Sequence, residues 1–291
     1  MSTPLSERAF AKINLTLRVL GRRADGYHEL ESLVAFADVA DTLTLEPGPA
    51  DSLAVSGPFE GKSGPADDNL VIKSLAELRR RIAGLKGGRF RLEKNLPVAA
   101  GVGGGSADGA AALRLLARAN EIALDDSRLM AAAQAVGADV PVCMDSRPRI
   151  MRGIGEMLAP PLDLPSIPAV LVNPGVALAT REVFGKFKIT HVGPGLADVP
   201  TKTGALIELL RQQDNDLTGA ATACAPVVGE VLRALRSAPG SVLVRMSGSG
   251  ATCFALFGSR EEAETAAQQL AGEHKNWWVQ ASAVGPVSGK T

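Results

Sequence analysis

From Pro97 to Ala107 the chain reads Pro97, Val98, Ala99, Ala100, Gly101, Val102, Gly103, Gly104, Gly105, Ser106 and Ala107, and this segment constrains the fold more than any other. Four glycines in five positions let a backbone turn sharply and approach a ligand closely. A short strand is expected just before it at Arg89–Leu92. The alanine- and leucine-rich stretch after it, from Ser106 to Asn120, has no interior proline and predicts a helix. A strand, glycine loop and helix in that order aim the helix's unpaired N–H groups and its positive dipole end at one spot, which suits a polyphosphate.

Spacing excludes two familiar phosphate loops. A P-loop carries lysine after its last glycine, where this chain has Ser106 and Ala107. Gly57, Gly61, Lys62 and Ser63 come near that pattern elsewhere, but with three residues between the glycines where four are required. A dinucleotide fingerprint counted from Gly101 and Gly103 needs glycine or alanine where Ser106 stands. The loop is a phosphate cradle of another kind.

The rest of the chain alternates strands and helices. Phe10–Leu20 has the period-two pattern of a half-buried strand, with Lys12 and Asn14 on one face. Gly21–Glu29 reads as a polar loop, Leu30–Leu45 as strand, and Asn69–Ile82 as an amphipathic helix. A helix over Ser127–Val136 is expected to stop at a left-handed Gly137 and deliver the chain to Asp139. Pro160, Pro161 and Pro165 suggest a boundary, giving an N-terminal half at 1–160 and a C-terminal half at 161–291. The second half reads as a strand at Ala169–Asn173, helices at Thr180–Phe187, Gly204–Arg211 and Val227–Leu235, and strands at Val242–Met246 and Cys253–Phe257. A helix at Glu261–Leu270 and a strand at Trp277–Ala281 complete it. The fold class is therefore α/β (α+β), with two α/β layers side by side.

Lysine plus arginine equals aspartate plus glutamate at 31 each, so no global field favours nucleic acid or an anionic membrane. With few aromatics as well, a nucleic-acid-binding module is disfavoured. Cys143, Cys224 and Cys253 lie far apart, without the close pairing of a zinc or redox site, and read as buried thiols in a reducing compartment. No stretch reaches the ~18 apolar residues of a membrane span, so a cytoplasmic setting is expected. His191, His274, Trp277 and Trp278 read as structure or surface, and Arg79–Arg81 as a solvated helix face.

Three separated segments together resemble the GHMP kinases: the strand bearing Lys12, the loop from Pro97, and Val244–Phe254, which contains Ser247, Gly248, Ser249 and Gly250. Within that family the chain is most similar to the branch acting on a cytidine diphosphate-linked methylerythritol. The similarity lies in Ala11–Leu15, Arg23–Glu29, Gly137–Pro141 and Asn215–Leu217. The resemblance implies a two-domain GHMP kinase fold with the active site in the cleft between domains, ATP in the N-terminal half, magnesium accompanying it, and that small molecule as substrate. It implies a catalytic pair, Asp139 accepting a proton and Lys12 orienting the alcohol and offsetting charge. It further implies that Tyr27 and Phe184 sandwich cytosine, that His28 and Asn14 touch the substrate, that Asn69 and Lys94 touch ATP, and that the Ser247–Gly250 turn closes the site. Many members have two serines where this chain has Gly104 and Gly105, so no magnesium ligand is assigned.

Residue chemistry alone agrees in part: a flat Tyr27 ring beside the donor and acceptor of His28 suits a nucleobase. Two alternatives stay open. Another GHMP kinase, acting on mevalonate, phosphomevalonate, homoserine or a sugar, would need no base clamp, and a non-catalytic nucleotide-binding protein of this fold would lack the Lys12 and Asp139 pair.

Overall fold

The computed structural model describes residues 3–189, 195–196 and 198–287. Its elements in the N-terminal half are β1 (Leu5–Asn14), β2 (Arg18–Arg22), β3 (His28–Pro47), β4 (Ser52–Ser56), α1 (Leu70–Arg81), β5 (Gly88–Glu93), α2 (Gly104–Ala119), α3 (Ser127–Val136), α4 (Val140–Cys143), β6 (Arg149–Gly153) and β7 (Met157–Leu158). The C-terminal half adds β8 (Ile167–Asn173), α5 (Thr180–Lys186), α6 (Thr203–Arg211), α7 (Thr218–Cys224), α8 (Val227–Ser237), β9 (Ser241–Met246), β10 (Cys253–Phe257), α9 (Arg260–Glu273) and β11 (Trp278–Gly285).

One mixed sheet runs in the order β4-β5-β3-β11-β8-β10-β9, with β1, β2 and β6 also pairing to β3. Strand β3 is the spine: its start pairs with β2 and β6, its later part with β1 and β5. It is buried from Glu31 to Ala37 and then alternates, with Asp41, Leu43 and Leu45 inward, as expected where both faces of a sheet give way to one. Strand β11 joins the halves, pairing with β8 along most of its length and with β3 at Ala37 and Phe36.

Helices cover the sheet by their apolar stripes. In α8, Val228, Val231, Leu232 and Leu235 are buried, the i, i+3, i+4, i+7 pattern of a helix resting on a sheet. Asn69 caps α1, its side chain accepting from Val71 N–H at 3.0 Å. Burial pushes the Cys143 and Cys253 thiols up to about 12, whereas Cys224 is only half-buried.

Three sequence expectations need correction. The strand expected over Phe10–Leu20 is broken, because Thr16 Oγ1 accepts the Leu33 N–H at 3.0 Å and Leu17 crosses over to bridge Asn215. Helix α2 begins at Gly104 rather than Ser106. Gly137 ends α3 in extended backbone, φ 174°, not the left-handed conformation, since Val140 N–H returns to Gly137 O at 3.1 Å and the chain enters α4 at once. Sequence periodicity also missed β4, α4, β6, β7 and α7.

Candidate active site

A cleft of ≈ 1440 Å³ is lined by both halves, from Asn69 and the glycine loop to Tyr27, His28 and Phe184. A pocket for one drug-sized ligand holds about 300 to 1,000 Å³, so there is room for two substrates.

The loop is held by its neighbours on two sides. Lys12 N–H donates to Val102 O at 2.8 Å, tying β1 to the loop, and Thr252 N–H donates to Ala100 O at 3.0 Å. Gly101 (φ 76°) and Gly103 (φ 62°) take the left-handed conformation that glycine adopts without cost. Helix α2 makes its first internal bond from Ala107 N–H to Gly103 O at 2.9 Å. The N–H groups of Gly104, Gly105 and Ser106, which line the cleft, are the ones a helix start leaves for a ligand.

The turn after β9 is locked to this loop. Ser247 Oγ donates to Gly101 O at 2.9 Å and accepts from Asn14 N–H at 3.1 Å. Asn215 Nδ2 donates to Met246 O and Gly248 O, both at 2.8 Å, while Asp216 accepts the Val19 N–H at 2.8 Å. The Asn215–Leu217 segment is thus a clamp on the closing turn.

Lys12 and Asp139 come together from positions 127 apart in the chain, Nζ to Oδ2 at 2.7 Å. The lysine side chain is 6% exposed and the aspartate 34% exposed, so the carboxylate faces the cleft while the ammonium is shielded. Asp139 stands at the start of α4 without capping it, which leaves its oxygens for Lys12 and a ligand. Asn14 Nδ2 donates to Ser32 Oγ at 2.7 Å, and its Oδ1 is buried with no partner. Such an acceptor awaits a donor.

At the other end the His28 and Phe184 rings stack, 4.8 Å between centroids and 25° between planes. One face of the imidazole is thereby covered, and its edge nitrogens remain for hydrogen bonding. Burial first, and the Arg22 charge second, hold His28 below its usual 6.5. A lowered folded-state value favours the neutral ring, so its contribution is present above the unfolded value and is lost as pH falls through the folded one. We expect an NMR titration of His28 to show a midpoint below that of a free histidine, moving upward in Arg22→Gln. A midpoint at or above the free value contradicts this arrangement.

The GHMP kinases N terminal domain family matches residues 69–147, and the GHMP kinases C terminal family residues 201–276. A 4-diphosphocytidyl-2-C-methyl-D-erythritol kinase of Rhodopseudomonas palustris (strain BisB5) is 52% identical, over 97% of this chain and 99% of its own. The chain belongs to the GHMP kinases, among the 4-diphosphocytidyl-2-C-methyl-D-erythritol kinases. A crystal structure of 4-(cytidine 5'-diphospho)-2C-methyl-D-erythritol kinase superposes with a TM-score of 0.80 at 35% identity, covering 97% of this chain and all (100%) of that one. Homoserine kinase from Cytophaga hutchinsonii, 20% identical with a TM-score of 0.72 over 99% of this chain and 96% of its own, shares the fold alone.

In this GHMP kinase, Lys12, Asn14, Tyr27, His28, Asn69, Lys94, Asp139 and Phe184 all line the cleft, as do Pro97–Gly101, Gly103–Ser106, Gly248 and Ser249. Val102, Ala107 and Ser247 instead turn into the interior, and Gly250 stands behind the turn. Val102 and Ala107 pack apolar side chains beneath the loop, and Ser247 ties it to the turn through its hydroxyl.

Lys94 is engaged more deeply than its sequence context suggests. Its ammonium donates to Asp41 Oδ2 and to Asp108 Oδ2, the latter at 2.8 Å, while Asp41 Oδ1 accepts the N–H groups of Asn95 (2.6 Å) and Leu96 (2.8 Å). Burial pushes the Asp108 carboxyl well above the usual range, against the pull of Lys94. Asp108 has one signal in the sequence, as the single carboxylate of helix α2; Asp41 and Ser32 have none. His274 stacks on Trp277 at 3.6 Å, Arg79 pairs with Asp51 at 2.6 Å and Arg81 with Glu77 at 2.7 Å, and none of these lines the cleft. His191 lies outside the described residues.

Proposed function

We propose that the chain transfers the γ-phosphoryl group of ATP to the C2 hydroxyl of 4-diphosphocytidyl-2-C-methyl-D-erythritol, giving the 2-phosphate and ADP. The carrying observation is the Lys12–Asp139 pair, joined at 2.7 Å in one cleft with both the glycine loop and the aromatic group at Tyr27, His28 and Phe184.

Phosphoryl transfer to an alcohol needs the hydroxyl in line with the γ-phosphate, charge compensation and an acceptor for the departing proton. Asp139 accepts that proton. Lys12 keeps the carboxylate ionised, orients the hydroxyl and offsets charge as it develops. The N–H groups of Gly104, Gly105 and Ser106 hold the phosphates, with Asn69 and Lys94 on the same side of the cleft. Magnesium would suit the oxygen donors of the lining beside the loop, the Ser106 hydroxyl among them, as an ion carried largely by the nucleotide phosphates and water. Bound there, it supplies further neutralisation of phosphate charge.

Tyr27, 60% exposed, offers a free ring to cytosine. Phe184, with one face on His28, offers its other face, while His28 and Asn14 reach the substrate by hydrogen bonds. The N-terminal half, ending near residue 160, supplies the nucleotide side together with Lys12, Asn14, Tyr27, His28 and Asp139, and the C-terminal half adds Phe184 to the alcohol side. A cytoplasmic setting belongs to this reading and is supported by three cysteines standing as free thiols.

The test follows ADP release from the purified protein with ATP, magnesium and a panel of alcohols. Turnover is expected with the cytidyl substrate and not with free methylerythritol phosphate, because the cytidine supplies binding energy that positions the alcohol. Equal or faster turnover of mevalonate or homoserine would overturn the assignment. Base stacking on an aromatic ring is worth about 1–3 kcal/mol, so Tyr27→Ala should raise KM for the cytidyl substrate by roughly tenfold or more and alter kcat far less.

A further inference from the structure

Among the described residues, four cationic side chains line the cleft: Lys12, Arg22, Lys94 and Arg181. Two of them are neutralised, Lys12 by Asp139 and Lys94 by Asp41 and Asp108. Arg22 and Arg181 have no carboxylate within ion-pair distance among the described residues. The contrast with the next residue is sharp, since Arg23 is met by Asp25 at 3.2 Å, Glu29 at 3.5 Å and Glu156 at 3.6 Å.

The two unneutralised arginines are each adjacent in the fold to one ring of the stacked pair. Arg22 is the cross-strand partner of His28 between β2 and β3, and directly opposed residues project their side chains to one face of a sheet. Arg181 precedes Phe184 by three residues on α5, which makes them neighbours on one helix face. After burial, the Arg22 charge is what holds the His28 imidazole below its usual value, as the cross-strand pairing leads one to expect. Two guanidinium groups lining one cleft, one on the residue paired with His28 and one three residues before Phe184, present planar N–H donors suited to phosphate oxygens.

We propose that Arg22 and Arg181 together hold the diphosphate of the nucleotide-linked alcohol, and so make the site select a nucleoside diphosphate over the bare nucleoside. This rests on the reading of Tyr27, His28 and Phe184 as a cytosine pocket. The arginines are binding residues and take no part in the Lys12 and Asp139 ion pair.

The experiment is calorimetric titration of cytidine and of CDP into the full-length wild type, Arg22→Gln, Arg181→Gln and the double variant, with ATP titrated in parallel. In the wild type, CDP should bind at least about thirtyfold tighter than cytidine, and each single change should cut that advantage by on the order of tenfold. The double variant should bind CDP and cytidine within about threefold of each other. Its cytidine affinity, kept near wild type, shows that it is folded and that the base pocket is intact. Arg22→Lys should restore part of the preference. Equal binding of cytidine and CDP by the wild type, a preference that survives in the double variant, or a loss in ATP affinity in place of CDP affinity overturns the proposal and leaves the cytosine pocket standing. Wild-type protein that binds neither cytidine nor CDP overturns the pocket reading, and this proposal with it.

Discussion

Asp139→Asn is expected to slow the chemical step by about a hundred- to ten-thousand-fold, or 3 to 5 kcal/mol of barrier lowering, because an amide of nearly the same shape does not take up the alcohol proton. The geometry makes the comparison clean. Asp139 does not cap α4, so the change removes no helix-stabilising bond, and the amide oxygen can still accept from Lys12. Lys12→Met should also be slow. It removes the ammonium that faces Asp139 at 2.7 Å while keeping an unbranched stem beside Gly103, whose Cβ would lie 3.3 Å from the Lys12 Cβ. Since the two groups act as a unit, the double variant should be only slightly worse than the worse single one. Single-turnover phosphoryl transfer, with ATP affinity and folding followed alongside, checks all three. Should folded Asp139→Asn keep more than about a tenth of the wild-type chemical rate, its role as base must be withdrawn, and positioning by Lys12 and the glycine loop would then carry the reaction.

The second large effect concerns the joint between the two glycine motifs. A Cβ on Gly101 would lie 2.4 Å from Ser247 O, 2.8 Å from Gly250 O and 2.9 Å from Gly250 N, on a backbone at φ +76°. These are rigid backbone atoms, and the conformation itself costs a side-chain-bearing residue of order 1–3 kcal/mol. Gly101→Ala should therefore push the closing turn off the loop and weaken ATP binding by a hundredfold or more, and Gly101→Val should be worse. Gly105→Ala is the control: its Cβ would meet only Leu70 Cδ1, at 3.8 Å, so the fold should be kept. Thermal unfolding and calorimetric ATP titration decide the matter. A Gly101→Ala protein with wild-type unfolding temperature and ATP affinity would show that the two motifs do not depend on their close approach.

The parts of the site legible in the sequence are those written in one contiguous run. Gly101–Gly105 before a helix, and Lys12 and Asn14 two apart on a strand, can be found because local backbone geometry dictates them. The Ser247–Gly250 turn gains meaning only from the loop it touches. Its bonds to Gly101 and Asn14 span separations of 146 and 233 residues, which no local pattern encodes. Asp41 is harder still: inside β3 it reads as one polar position in an alternating strand, and its task of holding Lys94, Asn95 and Leu96 depends on tertiary packing. Gly137 misled for the opposite reason. A glycine after a helix usually signals a left-handed cap, but here the short α4 that follows needs extended backbone at that point.

Strand β11 lies between β3 and β8, and its Val284 pairs with Ala37, a residue synthesised far earlier. During translation β3 must therefore wait, one stretch of its ladder open, until nearly all of this sequence has left the ribosome. That stretch, Phe36 and Ala37, is fully buried in the finished fold, and the apolar strand β8 waits with it for the same partner over Ile167–Asn173. An open, apolar strand edge is a template for pairing with other chains. For a nascent chain of this kind, the interval before β11 arrives is the period of greatest exposure to aggregation and of greatest need for a chaperone.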